Sequence, residues 1–218
     1  MSDSVKRGYR SPLRTAQAQA TRRRIVAAAA DLFVSSGFEG TSVDAIADAA
    51  GVSRKTVFTA VGGKTELLAL AMDWAVAGDD APVPLAARPD MRALLDLPHP
   101  GAVLDAWAAV LTEIDARVDG LFAVLEGAAA SDEAAHALFD RMSAQRRTGA
   151  AAVVDAVAAL GGLRDGLSRS EAIDLAALFT EPLLHRRLVG ARGWSRRRFE
   201  RWLAGTLRGQ LLSRPDSR

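Results

Sequence analysis

The sequence predicts an all-α protein, a small three-helix unit at the N-terminal end joined to a larger helical one. Three observations carry that prediction. Alanine, leucine and arginine are abundant, aromatics make up 6% of the 218 residues and β-branched runs are scarce, a mixture that favours helix over sheet. Apolar residues recur at helical spacing from about residue 21 onward, and no stretch alternates as a strand would. Between residues 78 and 100 the pattern breaks, and that connector holds five of the eight prolines. The expected organisation is an arm over residues 1–20, a small domain over 21–77 and a larger one over 78–218.

Residues 1–20 contain Gly8 and Pro12 and show no periodic apolar face, so a flexible arm is expected. Ile25, Ala28, Ala29, Leu32 and Phe33 then mark a first helix, which Gly37 ends. Thr41 is placed to cap a second, short helix, with Asp44 three residues on and Val43, Ile46, Ala47 and Ala50 inside. Gly51 stops it. Ser53 is placed to cap a third, with Val57 and Val61 inward, and Lys64 opens a fourth that runs to about Ala77.

Beyond the connector only helices are expected. One covers about 101–118 (Val103, Trp107, Val110, Ile114), a short one about 120–129, and a long one about 132–160 (Leu138, Phe139, Met142, Val153, Val157). Another runs from about 168 to 190 and is interrupted at Pro182, because proline removes an intrahelical hydrogen bond. The last, about 195–213, carries Phe199, Trp202, Leu203, Leu207 and Leu211 at helical spacing.

Composition excludes several chemistries. With 49% hydrophobic and 25% charged residues the chain is ordinary for a globular protein. It has no cysteine, so disulfides, zinc–thiolate sites and cysteine nucleophiles are ruled out. No uninterrupted apolar run reaches the length of a membrane span and no apolar leader is visible, so a cytoplasmic location with no membrane partner is expected. The net charge of +2 is unevenly placed: residues 1–24 carry +6 and the remainder −4. A basic arm on a mildly acidic body suggests a polyanion partner. No two of the three histidines share metal-ligand spacing, so no metal and no other cofactor is expected.

Gly62-Gly63-Lys64-Thr65 ends as a phosphate-binding loop ends. The full motif needs a glycine where Phe58 stands and a strand where the pattern is helical, so a nucleotide site is set aside. Read whole, residues 41–68 form two short helices meeting at a glycine turn, a helix-turn-helix whose second helix enters the major groove. Ala47 is small where the helices cross. Val52 and Val57 plug the angle between them. Ser53, Arg54, Lys55, Thr56 and Thr59 are left outside, all able to hydrogen-bond.

On these residues the chain resembles the TetR family of transcriptional regulators. The resemblance covers residues 22–70 through Ala29, Leu32 and Phe33, then Thr41-Ser42-Val43, Ile46-Ala47, Ala50-Gly51-Val52-Ser53, Thr56, Phe58, Lys64 and Leu67. It implies that double-stranded DNA is the partner, with Thr41 and Lys64 on phosphates, Ser42 among the DNA-binding residues, and Ser53, Arg54, Lys55, Thr56, Phe58 and Thr59 facing bases and flanking phosphates. Arg54 and Lys55 are the expected base readers, since bidentate contact to guanine is the commonest specific contact. The chain departs from the family's pattern at Phe58-Thr59-Ala60-Val61, where a tyrosine hydroxyl and a second aromatic are missing, and at Gly62-Gly63, where a proline and a serine are usual.

More weakly, residues 181–207 look like the closing segment of such regulators. The implied protein is a homodimer through its last two helices, most simply a repressor that a small hydrophobic effector releases from a palindromic operator. Phe179, Leu183, Leu184, Leu188, Trp202, Leu203 and Leu207 are the expected dimer residues. Trp107, Phe122, Met142, Phe179 and His185 are the expected walls of the effector pocket. The alternative is an all-helical enzyme acting on a small hydrophobic substrate. No catalytic motif supports it, no catalytic residue is assigned, and the paired carboxylates Asp132-Glu133 are explained by helix capping. The arginines around 196–198 are expected on a solvated face.

Overall fold

The computed structural model describes residues 12–213. Among these described residues ten α-helices follow one another: α1 Pro12–Gly40, α2 Val43–Ala50, α3 Arg54–Ala60, α4 Lys64–Ala77, α5 Pro89–Leu95, α6 Pro100–Ala129, α7 Glu133–Ala159, α8 Arg169–Leu178, α9 Pro182–His185 and α10 Arg196–Leu211. A 3-10 turn, Leu85–Ala87, lies in the connector, and a wider π-type turn, Arg186–Gly190, continues α9. The all-α class is as expected. Among the described residues the β-type pairing is a single bridge, Leu163 to Leu212.

The chain divides into two compact units, the first ending at Ala71 and the second starting at Met72. In the first, α1, α2 and α3 pack around Ile25, Ala29, Phe33, Ile46 and Val57, all essentially inaccessible. Phe33 and Phe38 stack at 5.9 Å. Gly37, with φ 74°, bends the end of α1 and brings Phe38 back against Phe33. In the second unit α6, α7, α8 and α10 enclose a core built on Leu104, Trp107, Val153, Phe199 and Leu203. Burying each such side chain contributes roughly 1.5–3 kcal/mol.

Four expectations are corrected. The arm expected over residues 1–20 is already helical from Pro12, as the first turns of α1; Ala16-Gln17-Ala18-Gln19-Ala20 are strong helix formers and proline is tolerated at a helix start. Lys6, Arg7 and Arg10 lie outside the described residues. The two helices expected at 101–118 and 120–129 are one, α6, running through Gly120. Glycine within a helix costs about 1 kcal/mol, which the burial of Val118, Leu121, Phe122 and Leu125 outweighs.

Third, the cap of α2 is Ser42, whose hydroxyl accepts from the amide of Ala45, and not Thr41. Fourth, Leu203 and Leu207, expected between subunits, are buried in the core of their own chain. Among the described residues no helix is long and apolar enough to cross a membrane.

Candidate functional site

The first site is the α2–turn–α3 segment. Gly51 adopts a left-handed conformation, φ 64° and ψ 42°, that an L side chain resists. Its amide and that of Val52 close the turn on the carbonyls of Asp48 (3.1 Å) and Ala47 (3.0 Å). Ser53 then starts α3: its hydroxyl accepts from the amide of Thr56 at 3.1 Å and meets the Thr56 hydroxyl at 2.8 Å. Val57 plugs the angle and is fully buried. What remains outside is one face: Arg54, Lys55, Phe58 and Thr59 are exposed, Phe58 to 46%.

This face is ordered by its own contacts. Arg54 forms an ion pair with Asp44 on α2 and stands over the Phe58 ring, 5.5 Å from its centroid. The Thr59 hydroxyl donates to the carbonyl of Lys55 at 2.9 Å. Exposed apolar area at Phe58 is therefore held beneath a cation, and the missing tyrosine hydroxyl leaves a flat ring at the surface.

Two of the expected contact residues are bound within the protein itself. Thr41 is 3% exposed; its hydroxyl is shared between the carbonyls of Gly37 (2.7 Å) and Leu32 (3.1 Å), so it ties the end of α1 together instead of facing solvent. Ser42, next to it, is exposed. The Lys64 ammonium donates to the carbonyl of Phe38 at 2.9 Å and lies 4.2 Å from the centre of that ring. Nearby, the Gly63 amide donates to the Glu66 carboxylate at 3.0 Å. The Gly-Gly-Lys-Thr string is thus a helix–helix joint, fastened by Glu66 and Phe38, where a carboxylate from the protein itself occupies the position an anion would take.

The residues expected around an effector separate in the second unit. Trp107 belongs to the main core and Phe179 packs against it. Phe122 is buried, pairs with Phe139 at 5.8 Å and lies under Arg146, 4.9 Å away. Met142 is buried on α7. His185 is 5% exposed, edge-on to Phe199 at 5.3 Å.

Beside Phe122 and His185 lies a buried ionisable group that sequence reasoning missed. Asp115 is 1% exposed. Burial, reinforced by Asp119 and Glu181 against the pull of Arg146, pushes its carboxyl up to about 8. Asp119 is also raised, by burial, against His185 and Arg186. Burial pulls His185 below the usual imidazole value, while Asp119, 3.9 Å away, pulls it up. Arg146 pairs with Glu181 at 3.2 Å, and Arg186 with Glu126 at 2.7 Å. The available signal was two aspartates four residues apart inside an otherwise apolar stripe, Leu111, Asp115, Val118, Asp119 and Phe122. Among the described residues no group of three or more potential ligands could hold a metal ion.

A short helix capped by a hydroxyl after a glycine turn, packed on a supporting helix and presenting an exposed polar face, is a helix-turn-helix DNA-binding unit. Residues 25–71 match the family model described as bacterial regulatory proteins, tetR family. Over that stretch the chain is similar to the DNA-binding region of TetR-family regulators. Its fold is shared along nearly the whole length of known structures. NalD, the secondary repressor of the MexAB-OprM multidrug efflux pump in Pseudomonas aeruginosa, is 18% identical, with 89% of this chain and 98% of that one covered at a TM-score of 0.68. The SmeT–triclosan complex is 21% identical, with 91% and 94% covered at 0.67. A Rhodococcus sp. protein described as a TetR-family transcriptional regulator is 18% identical, with 89% and 100% covered at 0.65. No curated protein matches the chain in sequence.

Proposed function

We propose that the protein is a ligand-released repressor that binds a palindromic operator as a homodimer. Residues 21–77 serve as the DNA-binding domain and 78–218 as the effector and dimer domain. The observation that carries this reading is the exposed face of α3, with Ser53, Arg54, Lys55, Thr56, Phe58 and Thr59 arrayed around a buried Val57. Arg54 and Lys55 read base edges, and Ser42, Ser53 and Thr59 meet the flanking phosphates. Two copies of α3 reach successive major grooves when they stand one helical turn apart, roughly 34–36 Å.

The dimer is supported by what the outer faces of the closing helices leave uncovered. Leu178, at the end of α8, is 59% exposed, and Gly205 and Gly209 on α10 have open space where a side chain would stand. Paired half-sites require a two-fold dimer. Relief of repression follows if the effector favours a conformation in which the two α3 helices no longer match the operator spacing. The liganded SmeT structure and the repressor NalD, which share this fold, support that reading.

A mobility-shift titration against DNA upstream of the protein's own gene tests it, alongside random duplex at moderate salt. Preferential, two-to-one binding of the upstream DNA is expected. Equal affinity for both duplexes, or a monomer by sedimentation at the binding concentration, overturns it.

A further inference from the structure

We infer that Phe58 fixes one position of the operator as thymine, by covering the methyl group of that base in the major groove. The inference rests on the operator-binding reading above and adds a specificity-determining residue to it. Arg54, Lys55, Phe58 and Thr59 are exposed, while Val57 among them is fully buried. At the α-helical repeat the four exposed residues share one side of α3 and Val57 lies off it. That side carries two cations, one hydroxyl and one phenyl ring. The ring is 46% exposed. Among the described residues no other phenylalanine, tyrosine or tryptophan is exposed.

A second observation concerns what surrounds the ring. A Cβ at Gly63 would stand 3.9 Å from Phe58 Cε1, an ordinary contact distance. A side chain at that position would therefore cover part of the ring, and glycine leaves it bare. Arg54 stands over the ring, its guanidinium carbon 5.5 Å from the centroid. An apolar surface and a cation are thus presented side by side on the face that meets DNA.

The chemistry of the groove selects the base. Phosphate oxygens and the ring nitrogens, carbonyls and amino groups of the base edges are all polar; the thymine methyl is the one apolar group that the major-groove edges present. A phenyl ring pressed on any of the others displaces water and offers no hydrogen bond in return, which costs affinity. On the methyl it removes apolar surface of both partners from water. Arg54 sets the position. Base pairs rise by roughly 3.4 Å, and the guanidinium stands 5.5 Å from the ring centre, so the two side chains address base pairs one or two steps apart. The assigned thymine lies within two base pairs of the guanine that Arg54 reads.

The test uses the full-length protein and the duplex it selects from a random-sequence pool. Each thymine of one half-site is replaced in turn by deoxyuridine, which removes the methyl group alone. Mobility-shift titration is expected to show one position where affinity falls about fourfold, the effect of one buried methyl group. Arg54→Ala, by relaxing preference at one guanine, marks the base pair from which its distance is counted. Phe58→Ala is expected to bind the thymine and deoxyuridine duplexes equally at that position. Phe58→Leu, still apolar, is expected to keep about a twofold preference for thymine. Phe58 is exposed, so both variants should fold, and circular dichroism checks it. Equal binding of thymine and deoxyuridine at every position by the parent overturns the inference. So does an undiminished methyl effect in Phe58→Ala, or an affected thymine more than two base pairs from the Arg54 guanine. If a preferred palindrome is recovered but the methyl effect is absent, the repressor reading stands and this inference alone falls. If the pool yields no preferred duplex, the repressor reading falls and the inference with it.

Discussion

Arg54, the first residue of α3, is paired across the helix-turn-helix with Asp44 of α2, and both side chains are more than half exposed. An exposed ion pair contributes only about 0.2–1 kcal/mol, so its value is not stability. It holds the guanidinium over Phe58, where DNA would compete for it under the proposed function. Asp44→Asn removes both the competitor and a negative charge facing phosphate. Affinity for any duplex should rise, by up to about fivefold, with thermal stability almost unchanged. Arg54→Ala should cost about 1–3 kcal/mol on the preferred operator and relax preference at one base position. A base-substitution series in the mobility-shift assay reads both effects.

Lys64 and Lys55 should behave oppositely, although both precede a threonine and both belong to the DNA-binding segment. Lys64 is fastened to the Phe38 carbonyl and ring, a charged hydrogen bond of about 1.5–3 kcal/mol. Lys64→Ala should therefore lower the unfolding free energy and leave the salt slope of DNA binding unchanged. Lys55 is exposed on α3, and Lys55→Ala should reduce that slope by about 0.9 with no loss of stability. Denaturant unfolding and salt titration together decide the pair.

Thr41→Val keeps the shape of the side chain but leaves the carbonyls of Leu32 and Gly37 without their donor. A loss of about 1–3 kcal/mol is expected. Thr41→Ser should restore most of it, and chemical denaturation of the three proteins measures the series.

Asp115 fixes a pH dependence. Its folded-state pKa is raised from 3.8 to about 8, so between those values the folded protein holds a proton that the unfolded chain has released. Its stabilising contribution is present at low pH and lost as pH rises toward 8, with a limiting slope of about 1.4 kcal/mol per pH unit. His185, lowered by burial, acts in the opposite sense and weakens the fold as pH falls below its ordinary range near 6.5. Unfolding of the parent between pH 6.5 and 8 should show declining stability, and Asp115→Asn should flatten the decline.

Much of the helix-turn-helix unit was legible because its constraints are local. Gly51 needs a left-handed turn, Ser53 needs an amide to cap, and Val57 needs a core. Each acts on neighbours within a few residues, so residue type and spacing carried the information. Thr41 and Lys64 escaped for the complementary reason. Their partners, Leu32 and Phe38, lie 9 and 26 residues away, and only the bend at Gly37 brings those carbonyls within reach.

By itself the sequence determined the helical class, the glycine turn and the polar face of α3, because helix periodicity, left-handed glycine and hydroxyl capping are properties of a short stretch of chain. Only the tertiary structure decided which charges are buried. Asp115 and His185 are buried, with Arg146 and Glu181 half-buried beside them; the four come from three different stretches of sequence, and no one of them signals its surroundings alone. Desolvation acts on a group only once other elements have covered it, and the packing of α6, α7 and α9 is what covers these.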